Sequence, residues 1–406
     1  MKIDNINKLF YFLLSLSLFI ELYFNIDSAG SGGSITDFNS TWPLVENPLK
    51  FSTDLDIKFP LHYYIAAIVY KIFDSKEILR FVYCLFSIAI PYLFFLCLKI
   101  KFKEIKVNNL FLFSLIIFLL PSVRSAAIWP NTQITGIIFF LFSLLFFLKW
   151  ESKKQFNKFN KDLFLTILFM SLAVYTRQLY AMIFFYFIII FYLNLNKKIL
   201  FQTLFTVGAF AIPGILFILF WPNILKATFV FKLYNSFLVN SSIISFYLIP
   251  FFSVIFFFEK KLKFNKIKFI EMFIIVLIVF FCAFFFNYNY LMGGGYFIKI
   301  SKIIFGNFFF FYLTSAIGLI LLYYLSLEHK LNMILSLIIL LAVSAYIIFM
   351  KYYEPMLILI LFLLFKTNLT SIFLKNKKYI YYYHVYFFAY LATAIINSFL
   401  LLSKNI

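Results

Sequence analysis

Apolar runs long enough to cross a bilayer recur along almost all of this 406-residue chain, and lysine clusters separate them at alternate breaks. A run of about 20 apolar residues covers ~30 Å of hydrocarbon at ~1.5 Å of rise per residue. The fold class this implies is all-α, a polytopic transmembrane helical bundle. Apolar residues make up 64% of the chain and charged residues 13%, with a mean hydropathy of +0.97. A soluble domain is roughly half apolar and a quarter charged.

The net charge of +20 is distributed by topology. Lysines gather at Lys99–Lys106, Lys149–Lys161, Lys197–Lys198, Lys260–Lys268 and Lys366–Lys378, between alternate apolar segments. Short basic loops stay on the cytoplasmic side, so this alternation is a topology signal and not a nucleic-acid patch.

Spans are expected at Leu9–Phe24, Leu79–Leu98, Leu110–Ile128, Ile134–Phe147, Leu163–Tyr175, Tyr180–Leu193 and Ile199–Phe220. They continue at Phe237–Phe258, Phe269–Phe286, Ile303–Leu325, Leu331–Met350, Met356–Phe365 and Ile380–Leu402. With the short ones open to merging, the count is about 11–13 in a single membrane domain over residues 1–406. No small-x-small cleavage site precedes Asp27, so the first segment reads as a retained span and not a signal peptide. With Lys2 and Lys8 cytoplasmic, residues 27–78 form a first extracytoplasmic loop. Leu61–Phe73 is too short to cross and reads as a juxtamembrane helix within that loop.

The far face then collects the informative polar groups: Asp27, Asp37, Asp54, Asp56, Arg124, Arg177, Gln178, Lys299, Lys302, Lys351 and Glu354. Cys84, Cys97 and Cys282 fall inside spans and read as packed free thiols. His62, His329 and His384 are too dispersed to form a metal cluster. No spacing demands a cofactor, although a divalent cation is chemically open to the carboxylates of Asp27, Asp37 or Asp56.

A first span, a long outer loop with an acidic residue near its start, and the string Phe59-Pro60-Leu61-His62-Tyr63-Tyr64 opening a juxtamembrane helix before Arg80 and the second span form one pattern. It resembles the GT-C superfamily of membrane glycosyltransferases. The resemblance is architectural over most of the chain and residue-level over Asp27 to Arg80. Tyr175-Thr176-Arg177-Gln178 is also similar to the Arg-Gln element of the eukaryotic alpha-1,2-glucosyltransferases that add the last glucose to lipid-linked oligosaccharide. The family's adjacent acidic pair is missing, since Phe38 follows Asp37 and Ser28 follows Asp27. The resemblance implies a polyprenyl-phosphate-linked sugar donor, a lipid, glycan or protein acceptor, and a site on the extracytoplasmic face.

Such a transfer needs a carboxylate to take the acceptor proton. Asp37 is the first candidate base, with N-capping of a short helix over Phe38–Val45 as its plain alternative. Asp27, at the end of the first span, is the second, against a solvated interfacial role. Arg177 with Gln178 is the expected grip on the leaving phosphate, against snorkelling to headgroups. His62, Tyr63, Arg124, Lys299 and Glu354 complete the expected substrate-binding set, with Arg124, Lys299 and Lys351 also readable as interfacial anchors and Glu354 as a partner of Lys351 or Arg124. Gly293-Gly294-Gly295 reads either as a loop closing over the donor or as a plain connector.

A transporter or flippase for a polar or sugar-bearing lipid is the competing reading. Such proteins place ionisable groups at mid-bilayer, whereas here they concentrate at one surface. The Lys, Asn, Ile and Phe bias suits an AT-rich bacterial genome and an inner-membrane location, with the site on the periplasmic or outer face.

Overall fold

A computed structural model describes residues 3–28, 34–48, 59–154, 156–220, 233–259, 268–291, 293–343, 345 and 347–404. Asp54 and Asp56 lie outside the described residues. Regular structure among the described residues is entirely helical. The chain divides into two compact units, Met1–Lys226 with His384–Ile406, and Ala227–Tyr383.

The first unit runs α1 (Asn5–Tyr23), α2 (Ser34–Glu46), α3 (Leu61–Phe73), α4 (Lys76–Lys101), α5 (Val107–Ser114), a 3-10 turn (Leu115–Leu119), α6 (Pro121–Ile128), α7 (Thr132–Lys153), α8 (Lys161–Val174), α9 (Leu179–Asn194) and α10 (Lys197–Phe220). Its core lies where α7 packs along α8 and α4. The starts are set by side chains that accept the first free N–H groups: Ser75 from Ile78, Asn131 from Gln133 and Asn160 from Leu163. Gly136 permits α7 to close on the end of α8, because a methyl there would press on Thr176 and Tyr180.

The second unit contains α11 (Leu233–Glu259), α12 (Phe269–Phe284), α13 (Gly295–Phe305), α14 (Phe309–Ser326), α15 (Lys330–Leu341), α16 (Met356–Leu363) and α17 (Asn368–Lys375). The last helix, α18 (Lys377–Lys404), is divided between the units at His384. The α11–α14 crossing is built from small residues. Ser315 donates to the Leu238 carbonyl at 3.0 Å, and Ser242 meets Thr314 at 3.3 Å. A methyl on Gly318 would overlap the Ser241 carbonyl oxygen and crowd Ser245. Without a hydrophobic drive in lipid, close backbone approach of this kind holds helices together.

Six described helices, α1, α4, α7, α10, α11 and α14, are long and apolar enough to cross a membrane. Two sharply bent pairs raise this to eight if each pair is one span, and α3, α9, α12 and α15 are shorter apolar helices. The protein is an integral membrane protein. Three expected spans come out differently. Pro121, which lacks an N–H, breaks 110–128 into the α5 arm and α6, bent by 68°. Gly306, at φ 68°, stops α13 inside 303–325. In the run at 331–350, α15 ends at Leu341. The Gly293–Gly295 run leads into α13 with all three glycines at positive φ, and the Gly294 N–H donates to the Ile348 carbonyl at 2.7 Å.

Replacing Gly318 by valine is expected to cost about 1–3 kcal/mol by overpacking. The thermal unfolding midpoint of the detergent-solubilised protein should fall. Gly208→Ala serves as the control, because nothing lies within 4 Å of the added methyl. Equal midpoints for Gly318→Val and the unaltered protein would remove the crossing from the list of stabilising contacts.

Candidate functional site

The first loop is anchored by Asp27, which is buried at the end of α1. One carboxylate oxygen accepts the Ser125 hydroxyl of α6, and the other accepts the Ile35 N–H of α2 at 3.0 Å. Ser34 extends the cluster: its N–H donates to Ser125 at 3.3 Å, and its hydroxyl accepts from Asn131 at 3.0 Å. Next to Asp27, the Ser28 hydroxyl donates to the Pro121 carbonyl at 2.9 Å. A carboxylate at a helix N-terminus pairs with free N–H groups and with the positive end of the helix dipole. The interfacial, solvated reading of Asp27 is therefore corrected.

Asp37 stands in the first turn of α2, half-buried. The helix starts at Ser34, three residues ahead of Asp37. The N-cap reading of Asp37 is corrected accordingly, and the short helix expected over 38–45 is longer at both ends. The α2 N-terminus is served by Asp27 from outside the helix, a partner that local sequence rules do not reach.

Arg124 is not a surface anchor. It is 2% exposed and paired with Glu21 of α1, Nη2 to Oε1 at 2.7 Å and Nε to Oε1 at 2.8 Å. It also donates to Ser17 at 2.9 Å and to the Phe118 carbonyl at 3.1 Å. The expected pairing of Arg124 with Glu354 gives way to Glu21, because α6 lies against α1. Glu21 was legible as the one carboxylate inside the first apolar run, where an ionisable residue calls for a partner.

Below α2 lies an aromatic and cationic wall. Phe38 contacts Trp42 and Trp129, with ring centroids 5.3 Å and 5.9 Å apart. Trp42 meets Tyr70 edge-on at 4.9 Å and carries the Lys76 ammonium 4.1 Å from its centroid. The Arg80 guanidinium lies over Trp129 at 3.7 Å and donates from Nε to the Ile128 carbonyl at 3.0 Å. His62 and Tyr63, expected to meet substrate, are both 1% exposed. His62 bonds the Thr135 hydroxyl of α7 at 2.9 Å through Nδ1, within reach of the Tyr83 hydroxyl at 3.3 Å. Its position serves the packing of α3, α4 and α7.

The Tyr175–Gln178 element joins the same region from another part of the chain. The Leu61 N–H donates to the Tyr175 carbonyl at 3.3 Å, and the Phe59 ring meets Tyr175 edge-on at 5.8 Å. The Tyr175 hydroxyl donates to the Phe210 carbonyl and accepts the Gly214 N–H at 3.0 Å, inserting into the α10 ladder beside Pro213. Arg177 and Gln178, both half-buried, follow directly and lead into α9. The opening of α3 and the Arg-Gln element, 114 positions apart from Leu61 to Tyr175, thus meet.

Lys299 and Glu354 belong to the second unit. Lys299 is exposed on α13, and Glu354 is buried, accepting the Tyr247 hydroxyl at 3.0 Å. Cys84, Cys97 and Cys282 are buried free thiols. Among the described residues, no group of three or more His, Cys, Asp or Glu side chains is placed to hold a metal ion.

No family model, curated protein or solved structure matches the chain. The functional reading rests on the geometry above.

The Glu21–Arg124 pair generates a test by double-mutant cycle. Removing one partner of a buried pair leaves the other charge uncompensated, at about 3–5 kcal/mol. Glu21→Leu and Arg124→Met are each expected to lower the unfolding midpoint sharply, and the double variant to lose much less than their sum. Strict additivity would mean that the two side chains do not depend on each other.

Proposed function

We propose that this chain is a membrane glycosyltransferase of the GT-C type, moving a sugar from a polyprenyl-phosphate donor to a lipid, glycan or protein acceptor on the non-cytosolic side. The observation that carries it is the double engagement of Asp27 by Ser125 and the Ile35 N–H. That engagement pins the first turn of α2, so Asp37, two residues beyond Ile35, is a half-buried residue on a fixed helix.

In this reading Asp37 is the general base and Asp27 a positioning residue. As the acceptor oxygen attacks the sugar's anomeric carbon, its proton passes to the Asp37 carboxylate. The bond from that carbon to the donor's phosphate oxygen breaks, and the phosphate leaves with the electron pair. Attack opposite the leaving group inverts the configuration. Arg177 and Gln178, tied to the α3 opening through Tyr175, contribute charge and hydrogen bonds toward the phosphate. Lys299 and Glu354, the remaining expected substrate contacts, belong to the second unit.

Membranes carrying the protein, incubated with a panel of labelled polyprenyl-phosphate sugars, are expected to transfer label from at least one donor. Asp37→Asn should reduce the rate by about 10²–10⁴-fold. Asp27→Asn should reduce it less and should lower the unfolding midpoint, as expected of a residue that acts through α2. Full activity in Asp37→Asn would remove that residue as base. Absence of turnover with every donor, together with lipid movement in vesicles, would replace the enzyme by a transporter.

A further inference from the structure

Arg80 and Trp129 lie outside the step just described, and both carry a buried donor for which the described residues offer no acceptor. Each residue is 8% exposed. Arg80 uses Nε on the Ile128 carbonyl, yet its Nη2 finds no acceptor among the described residues. The Trp129 indole Nε1 finds none either. These groups are donors only, with no capacity to accept, and a donor left buried and unmade is destabilising, a charged one the more so. Two of them occur in contact, the guanidinium carbon 3.7 Å from the indole centroid.

We propose that Arg80 and Trp129 form an oxyanion subsite that takes a phosphate group. An acceptor-only tetrahedral anion answers both orphan donors at once, and a planar guanidinium is well matched to phosphate oxygens. The surroundings favour that sign of charge. Lys76 lies one helical turn before Arg80, with its ammonium held over Trp42. Glu77, the nearest acid in sequence, accepts the Ser75 hydroxyl at 3.1 Å and acts on Arg80 through its charge, without a hydrogen bond to it. Depth fits a headgroup as well: Arg80 is the fifth residue of α4, about 6 Å of rise from the helix start. The ring of Phe38, adjacent in sequence to Asp37, contacts Trp129, so the subsite adjoins the helix that carries the proposed base.

The assignment of this phosphate to a sugar donor rests on the transferase reading, whereas the anion subsite stands on the orphan donors. The same chemistry is offered by a lipid-borne phosphate monoester and by free phosphate.

The full-length protein in phosphatidylcholine nanodiscs, with or without a short-chain prenyl monophosphate, separates the two sources when run beside inorganic phosphate and chloride at matched ionic strength. Tryptophan emission and the unfolding midpoint are the readouts. Phosphate in one of its forms should shift both where chloride does not. Response to the prenyl phosphate assigns the subsite to a lipid headgroup, and response to inorganic phosphate alone assigns it to the free ion. Arg80→Gln should weaken the response by ~10–100-fold and Trp129→Phe, which keeps the ring under the guanidinium, by ~2–10-fold. Trp129→Phe guards against misfolding, because it removes an unmade buried donor and its midpoint without phosphate should be no lower than that of the unaltered protein. No response to either phosphate, or an undiminished one in both variants, overturns the subsite. Arg80-dependent binding without sugar transfer would sink the transferase reading and leave the subsite. Transfer in Arg80→Gln with an unchanged KM would leave the transferase reading and remove the subsite from donor binding.

Discussion

Every backbone N–H and C=O inside a bilayer has to be paired within the protein, and the breaks in the helices of this chain are closed by side chains that meet this demand. Where Pro121 interrupts the α5–α6 pair, the Phe118 carbonyl is taken by Arg124 and the Pro121 carbonyl by Ser28. The last carbonyl of α6, on Ile128, is taken by Arg80. Beside Pro213 the Tyr175 hydroxyl donates to the Phe210 carbonyl and accepts the Gly214 N–H, joining both ends of one rung of α10. In the second unit Asn240 donates to the Leu340 and Val343 carbonyls, and Asn332 closes on Leu325 and on both backbone groups of Lys366.

This constraint determines where the polar side chains of so apolar a chain can sit. Arg124 satisfies a freed carbonyl and thereby brings a full charge inside, which in turn requires Glu21. The helix that carries Arg124 also carries Ser125, and Ser125 is what Asp27 holds. The break at Pro121 therefore fixes the place of α2 at one remove. A straight helix over 110–128 would have no carbonyl to give up and no reason to bury an arginine there.

Much of this arrangement was legible along the chain. Leu61–Phe73 emerges with the expected ends, because a 13-residue apolar run bounded by Pro60 and Asp74 leaves little freedom; Asp74 adopts the left-handed conformation that stops the helix. The spans around α4, α7 and α11 agree for the same reason of length and hydropathy. What could not be read is non-local. Asp27 caps a helix that begins seven residues later, a partner that no local propensity encodes, and Asp37 looked like the cap because it is acidic and precedes apolar residues. Arg124, His62 and Tyr63 looked available because charge and polarity in a membrane sequence are equally consistent with a surface and with a filled interior. Only packing distinguishes the two. Arg80, which marked only the start of the second span, and Trp129 gave the least warning, since their stacking depends on how α4 meets α6.

The missing acidic pair bears on the same point. An adjacent pair places two carboxylates together by covalent connection, at the cost of like-charge repulsion that a binding partner has to relieve. Here the two acids are ten positions apart and differ in environment. Asp27 is buried with both oxygens accepting hydrogen bonds, and Asp37 lies two residues beyond the N–H that Asp27 binds, about 3 Å further along the helix. A division of this kind lets one carboxylate carry the structure while the other keeps an accessible face, without requiring either to do both. It also makes the sequence Asp27-Ser28 interpretable: a small hydroxyl next to the buried acid reaches the Pro121 carbonyl, where a second carboxylate would meet a lone pair and be repelled.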